Sequence, residues 1–295
     1  MSLMPHEIRY AIHKDAMTRV LLTGGHGFIG THLKNRLKPY YKVDILPRRT
    51  LQNKMLLWAW LGSKQYDYIF HLASYGNHSF QVEHDKVYKA NVDNLFNLID
   101  ATRHMAYKGF FNFSTTHHNL EAGSFYGSTK SAGEYIVRAF VRNYGLKVVN
   151  VRPYSVFGEY EWDFRFLPTI SRQIANGEPI TVSDVTHDWI YVEDFIDGLL
   201  SVVKDVNNYV GKSVGIGTGE RVSNLFLAQK LMEIVGKTVP ILNGVKRSYE
   251  IAAYGKELIN KTEEEKQEIF ISQTTTPFEV SLKRVYDSSP LWLKR

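Results

Sequence analysis

The chain has 295 residues, enough for one large core or two modest ones, and its 44% hydrophobic and 22% charged content is that of a globular enzyme. A formal charge of +6, with no dense basic run interleaved with aromatics, argues against nucleic-acid binding. The absence of cysteine excludes disulfides, thiol nucleophiles and thiolate-held metal, and no metal site is expected.

Residues 1–18 are interrupted by His6, Glu7, Arg9, His13, Lys14 and Asp15, so they lack a signal-peptide core and read as a short N-terminal extension. The first strand is expected at Val20–Thr23. It ends in Gly24-Gly25-His26-Gly27-Phe28-Ile29-Gly30, and a helix over Phe28–Leu37 follows at once. Gly24, Gly27 and Gly30 have the spacing G-x-x-G-x-x-G. The first permits a tight turn, the second a close backbone approach to a pyrophosphate, and the third helix–strand packing. The helix N-terminus then offers partial positive charge to the phosphates.

Further strands are expected at Val43–Leu46, Tyr68–Leu72, Gly109–Ser114 and Val148–Val151, and helices at Val87–Thr102 and Ser128–Tyr144. The apolar stretch Met55–Leu61 is too short to span a bilayer, so no membrane partner is expected and a cytoplasmic location is the default. Strands alternating with helices indicate an α/β fold with a doubly wound parallel sheet, buried on both faces. The pattern loosens after Arg152-Pro153. A second glycine-rich strand end, Val214–Gly219, precedes a helix from Ser223 to Val235, and Lys256–Glu268 reads as a charged, solvated helix. A Rossmann domain of residues 19–153 and 188–217 is expected, with a smaller, partly interleaved α/β substrate region of residues 154–187 and 218–295.

Tyr126 and Lys130 stand four residues apart, on one face of a helix. A free phenol, with a pKa near 10, is a poor base at neutral pH, and a neighbouring lysine cation favours its ionised form. Such a tyrosine can exchange a proton with a substrate oxygen while hydride moves. The strand end Phe113-Ser114-Thr115-Thr116 precedes the pair, where hydroxyls face the crevice of such a sheet, and Thr116 is placed to orient the reacting oxygen.

These residues resemble the extended short-chain dehydrogenase/reductase family, in particular the NAD(P)-dependent epimerase/dehydratase group acting on nucleotide sugars. The resemblance runs from about Arg19 to Gly236. It rests on Thr23–Gly30, His71-Leu72-Ala73, Asn91, Ser114-Thr115-Thr116, Tyr126 with Lys130, Arg152–Gly158, His187–Asp194 and Val214–Ser223, in the family's order. It implies a Rossmann fold, catalysis by Tyr126, Lys130 and Thr116, and a lysine that also holds the nicotinamide ribose. It further implies cofactor contacts from Gly24, Gly27, Phe28, Ile29, Gly30, Leu72, Ala73, Asn91, Ser114, Tyr126, Lys130 and Arg152. Ser79, Thr116, His118, Ser155, Arg165, His187 and Arg247 are the substrate-side residues, and a homodimer is implied.

The chain departs from the family in several places. His117-His118 replace the Asp-Glu of the dehydratases, which argues against a 4,6-dehydratase. Pro47, Arg48 and Arg49 stand where NAD enzymes carry a ribose-binding acid, and paired guanidiniums suit a 2′-phosphate, so NADP is preferred over NAD. The region Leu51–Gln65 is too short for the usual strand and helix. His187 replaces an arginine, and Ser155 an asparagine. The expected function is epimerisation or 4-keto reduction of a nucleotide-diphosphate sugar. The alternatives are reduction of a non-sugar carbonyl and a non-catalytic dinucleotide sensor on the same fold.

Overall fold

The computed structural model describes residues 18–62, 64–78, 80–116, 124–183, 185–244 and 269–292. The dinucleotide-type half runs β1 (Arg19–Thr23), α1 (Phe28–Leu37), β2 (Lys42–Leu46), α2 (Arg48–Leu51), α3 (Lys54–Leu61) and β3 (Tyr68–His71). It continues with α4 (His84–Tyr88), α5 (Asn94–Thr102), β4 (Gly109–Phe113), α6 (Phe125–Tyr144) and β5 (Val148–Pro153). Then come β6 (Ser155–Phe157), α7 (Phe166–Asn176), β7 (Ile180–Val182), β8 (Thr186–His187), β9 (Trp189–Tyr191) and α8 (Val192–Lys204). The last elements are β10 (Ser213–Gly217), β11 (Val222–Ser223), α9 (Asn224–Val235), β12 (Ile241–Asn243), β13 (Ile269–Ser272) and α10 (Phe278–Trp292).

Seven parallel strands form the central sheet in the order β13-β10-β5-β4-β3-β1-β2, the doubly wound arrangement expected from the alternating pattern. Its strands are near-continuous hydrophobe because both faces are covered. Leu33 and Leu37 of α1 join Phe195, Ile196 and Leu199 of α8 in the core on one face. Leu57 and Leu61 of α3, Leu95 and Leu98 of α5 and Val137 of α6 fill the other.

Three local features of these elements have physical causes, and the second is as expected for a region too short for both a strand and a helix. The helix expected at Val87–Thr102 starts earlier and is interrupted by a π-helical turn over Lys89–Asp93, which turns Asn91 inward. The short region after β2 holds α2 and α3 and, among the described residues, no strand, because Leu51, Leu57 and Leu61 recur at helical spacing and bury one side. Ile269–Ser272, expected within the substrate region, instead pairs in parallel with Val214–Gly217 and forms one edge of the main sheet. Just beyond it the Asp194 carboxylate accepts from both Thr275 and Thr276, fastening this strand's exit to α8.

Among the described residues, no helix is long and apolar enough to cross a membrane.

Candidate active site

The carboxyl ends of β1, β3 and β4 meet at one edge of the sheet, and the glycine turn closes it. Gly24 has φ +71°, and a Cβ there would sit 2.8 Å from the Ala73 nitrogen, so the turn lies directly on the chain leaving β3. A Cβ on Gly30 would run into the Gly24 carbonyl oxygen, which is why α1 can start so close to the turn. Gly27 caps α1 without any side-chain hydrogen bond, leaving the first-turn N–H groups, with half-buried Phe28 and Ile29, facing outward as an anion cradle. Thr23 Oγ1 is bonded to His71 Nδ1 at 2.8 Å and accepts from the Ala73 amide at 3.2 Å, which locks β1 to the Leu72–Ala73 segment. Burial, helped by the Lys130 charge, pulls His71 down to about 3, so this ring is a neutral strut.

The buried Ser114 hydroxyl, just after β4, has no hydrogen-bond partner among the described residues. A buried hydroxyl of this kind, on the same carboxyl edge of the sheet as an uncapped helix N-terminus and a turn that only glycine fits, is a donor set a dinucleotide would satisfy. Thr116 is half-buried just beyond it.

Helix α6 brings Tyr126 and Lys130 to this edge. Ser124 starts it by accepting from the Gly127 amide at 2.9 Å, and Gly145, left-handed at φ +64°, ends it. Burial pushes the Tyr126 phenol up to about 12, opposed by a hydrogen bond from Ser74 and by the Arg165 charge. Arg165, at the N-terminus of α7, thus bears on the tyrosine, a charge that the four-residue spacing of Tyr126 and Lys130 does not indicate. Lys130 is buried, drawn down to about 8 by desolvation against the pull of Glu134.

Several polar side chains of this half are hydrogen-bonded within the protein. Asn91 donates to the Tyr75 carbonyl at 2.8 Å and to Thr129 Oγ1 at 3.0 Å, and accepts from the Tyr75 amide at 3.0 Å. It thereby splices the β3 loop to α6, one turn from Tyr126. Arg152, 4% exposed, forks onto Glu134 through Nε at 2.8 Å and Nη2 at 2.7 Å, and Ser213 donates to the same carboxylate at 2.8 Å. Asp44, inside β2, is committed to Arg19 at 2.6 Å and Tyr66 at 2.9 Å, so no carboxylate of β2 is left for a ribose. Arg48 and Arg49 begin α2 at the end of that strand and are exposed.

On the substrate side, Ser155 and His187 are half-buried; the Ser155 amide donates to the Asp188 carbonyl at 2.9 Å, and His187 meets the Trp189 ring edge-on at 5.3 Å. Ser79, His118 and Arg247 lie outside the described residues. Sequence reasoning missed Ser74 and Glu161. Glu161, 5% exposed, accepts from Arg165 Nε at 3.2 Å, its other oxygen has no partner among the described residues, and burial pushes it up to about 7 against the arginine's charge. The only available signal was its four-residue spacing to Arg165 in an aromatic loop.

The model of the NAD dependent epimerase/dehydratase family matches residues 20–217. UDP-glucuronate 4-epimerase 1 of Arabidopsis thaliana is 25% identical over 280 residues, covering 78% of this chain; the chain spans 64% of that protein's length. The uncharacterized UDP-glucose epimerase YtcB of Bacillus subtilis is 26% identical over 262 residues, covering 74% of this chain and 83% of that one. In fold, the chain is similar to the epimerase Mth375 of Methanothermobacter thermautotrophicus, with a TM-score of 0.81 at 17% identity over 97% of this chain and 96% of that one. It is also similar to the UDP-glucuronic acid 4-epimerase of Bacillus cereus, with a TM-score of 0.78 at 19% identity over 93% and 100% of the two chains.

Proposed function

The chain belongs to the NAD dependent epimerase/dehydratase family, and from that premise we infer an epimerase or 4-keto reductase of a nucleotide-diphosphate sugar, with Tyr126 as its acid and base. The observation that carries the reading is the setting of Tyr126 at the carboxyl edge of the sheet, bonded to Ser74, faced by Arg165 and one helical turn from buried Lys130. The sugar-nucleotide part draws on relatives named for UDP-glucuronate and UDP-glucose.

Gly24, Gly27 and Gly30 would seat a diphosphate on the amides of Phe28 and Ile29, Ser114 and Lys130 would hold the nicotinamide end, and Arg48 and Arg49 favour the 2′-phosphate of NADP. The bound nicotinamide supplies or takes the hydride. Tyr126, protonated at neutral pH, gives its proton to a ketone oxygen during reduction; during epimerisation it takes the sugar hydroxyl's proton and later returns it, with Arg165 easing the phenolate. Thr116 orients that oxygen. Exposed Phe96 on α5 and exposed Tyr135 and Tyr144 on α6 support a homodimer through these helices.

The test is conversion of UDP-glucose, UDP-glucuronate and dTDP-linked 4-keto sugars with NADPH or NAD, beside Tyr126→Phe. The variant is expected to lose roughly 10²–10⁴-fold in rate while still binding cofactor. Unchanged turnover in Tyr126→Phe removes the tyrosine from the chemistry, and no conversion of any nucleotide sugar overturns the reading.

A further inference from the structure

Four aromatic side chains from two separate segments meet beside the candidate active site. His78 and Phe80 come from the chain after β3, Trp162 and Phe164 from the loop between β6 and α7. The His78 ring meets Phe164 edge-on at 4.8 Å and lies over Phe80 at 5.4 Å; Phe80 meets Phe164 at 5.2 Å, and Trp162 stacks on Phe164 at 6.0 Å. Even so, Phe80, Trp162 and Phe164 remain 61%, 55% and 46% exposed. A contiguous aromatic surface left open at the rim of a polar site marks a place where a ligand covers it.

The loop that presents Trp162 and Phe164 is fastened at two points. His32 Nε2 donates to the Glu159 carbonyl at 2.7 Å and Tyr191 donates to the Glu159 carboxylate at 2.9 Å, while Glu161 holds Arg165 at 3.2 Å. The location of the rings selects the ligand part. Gly76, two residues before His78, lies against the Tyr126 ring, where a Cβ would sit 3.4 Å from its Cδ2, and the charge of Arg165, next in sequence to Phe164, bears on both His78 and Tyr126. The cluster therefore abuts the tyrosine end of the site, where the reacting carbon sits, and not the glycine turn. A pyranose has an apolar C–H face with partial positive charge, the complement of the negative face of an aromatic ring, and hydroxyls at its edge for Arg165.

The geometry points to a sugar-stacking platform: Phe80, Trp162 and Phe164 seat the apolar face of the substrate's pyranose ring beside Tyr126. This rests on the nucleotide-sugar reading above and adds the residues that grip the sugar.

Intrinsic fluorescence separates the two. UDP-glucose or UDP-glucuronate added to the NADP-loaded protein is expected to change the Trp162 signal, taken as the difference between wild type and Trp162→Phe, whereas UDP alone leaves it unchanged. Phe164→Ala and Phe80→Leu are each expected to raise KM for the nucleotide sugar about 3- to 10-fold, far more than they lower kcat, without loosening NADP. An equal response to UDP alone assigns the rings to the base and overturns the platform. So does a nucleotide sugar that binds wild type and both ring variants equally, which leaves the family reading standing. Failure of every nucleotide sugar to bind wild type removes both.

Discussion

Arg165 donates from Nε to Glu161 at 3.2 Å, and the guanidinium held this way is the cation that bears on the Tyr126 phenol. Burial keeps the Glu161 carboxyl at about 7 against 4.5 in a free chain. Between these values the folded protein binds more protons than the unfolded one, so this residue makes stability fall as pH rises from 4.5 to 7. Glu161→Gln keeps the acceptor for Arg165 and removes the titration. Thermal unfolding should show the variant level with wild type below pH 4.5 and more stable by roughly 3 kcal/mol at pH 8. A difference that is flat from pH 4 to pH 8 would refute the raised carboxyl.

The same substitution acts on catalysis through Arg165. With the carboxylate gone, the guanidinium is uncompensated and the phenolate is favoured. In the oxidative direction, where Tyr126 acts as base, the rise of rate with pH that follows the phenolate should move to lower pH in Glu161→Gln and to higher pH in Arg165→Met. Profiles of both variants that overlay the wild type would sever Arg165 from the tyrosine.

The glycine turn predicts a contrast between two alanine variants. Gly145 has φ +64° with open space around it, so Gly145→Ala meets only backbone strain, about 1–2 kcal/mol. At Gly30 the backbone is ordinary but the new Cβ strikes the Gly24 carbonyl, so Gly30→Ala must push the turn apart. That should cost about 1–3 kcal/mol and also weaken dinucleotide binding, which Gly145→Ala should leave intact. Denaturant titration and cofactor titration together read both arms.

Arg152→Leu removes the fork from buried Glu134 and should destabilise the fold by about 3–5 kcal/mol. Adding Glu134→Leu should recover most of the loss, because the charge left without its arginine is the source of the cost. Urea unfolding of the two variants decides it; no recovery would mean that packing, not charge, sets the penalty.

Arg48→Ala should weaken NADP by about 10- to 100-fold while leaving NAD nearly unchanged, the range expected for hydrogen bonds to a charged group. Isothermal titration with both cofactors checks it. A preference ratio that does not move takes Arg48 out of phosphate recognition.

What the sequence made legible follows contact distance. The turn of Gly24–Gly30, the helix carrying Tyr126 and Lys130 and the run of parallel strands are local patterns, and the observed strands and helices follow them closely. The charge of Arg165 on Tyr126 was not legible, because it acts from a residue 39 positions further along the chain. Asn91 was legible as a special position but not as a splice between loop and helix, because the π-turn that aims it at Tyr75 and Thr129 has no motif of its own. Glu161 was invisible because burial alone makes it unusual.

The edge strand Ile269–Ser272 also has a consequence for biogenesis. Its neighbour Ser213–Gly217 leaves the ribosome first, with one row of backbone amides and carbonyls bare until the later strand emerges and Asp194 takes hold of Thr275 and Thr276. The nascent sheet is thus sticky on that side during the interval, and premature termination within it would leave a product prone to self-association rather than a smaller working enzyme.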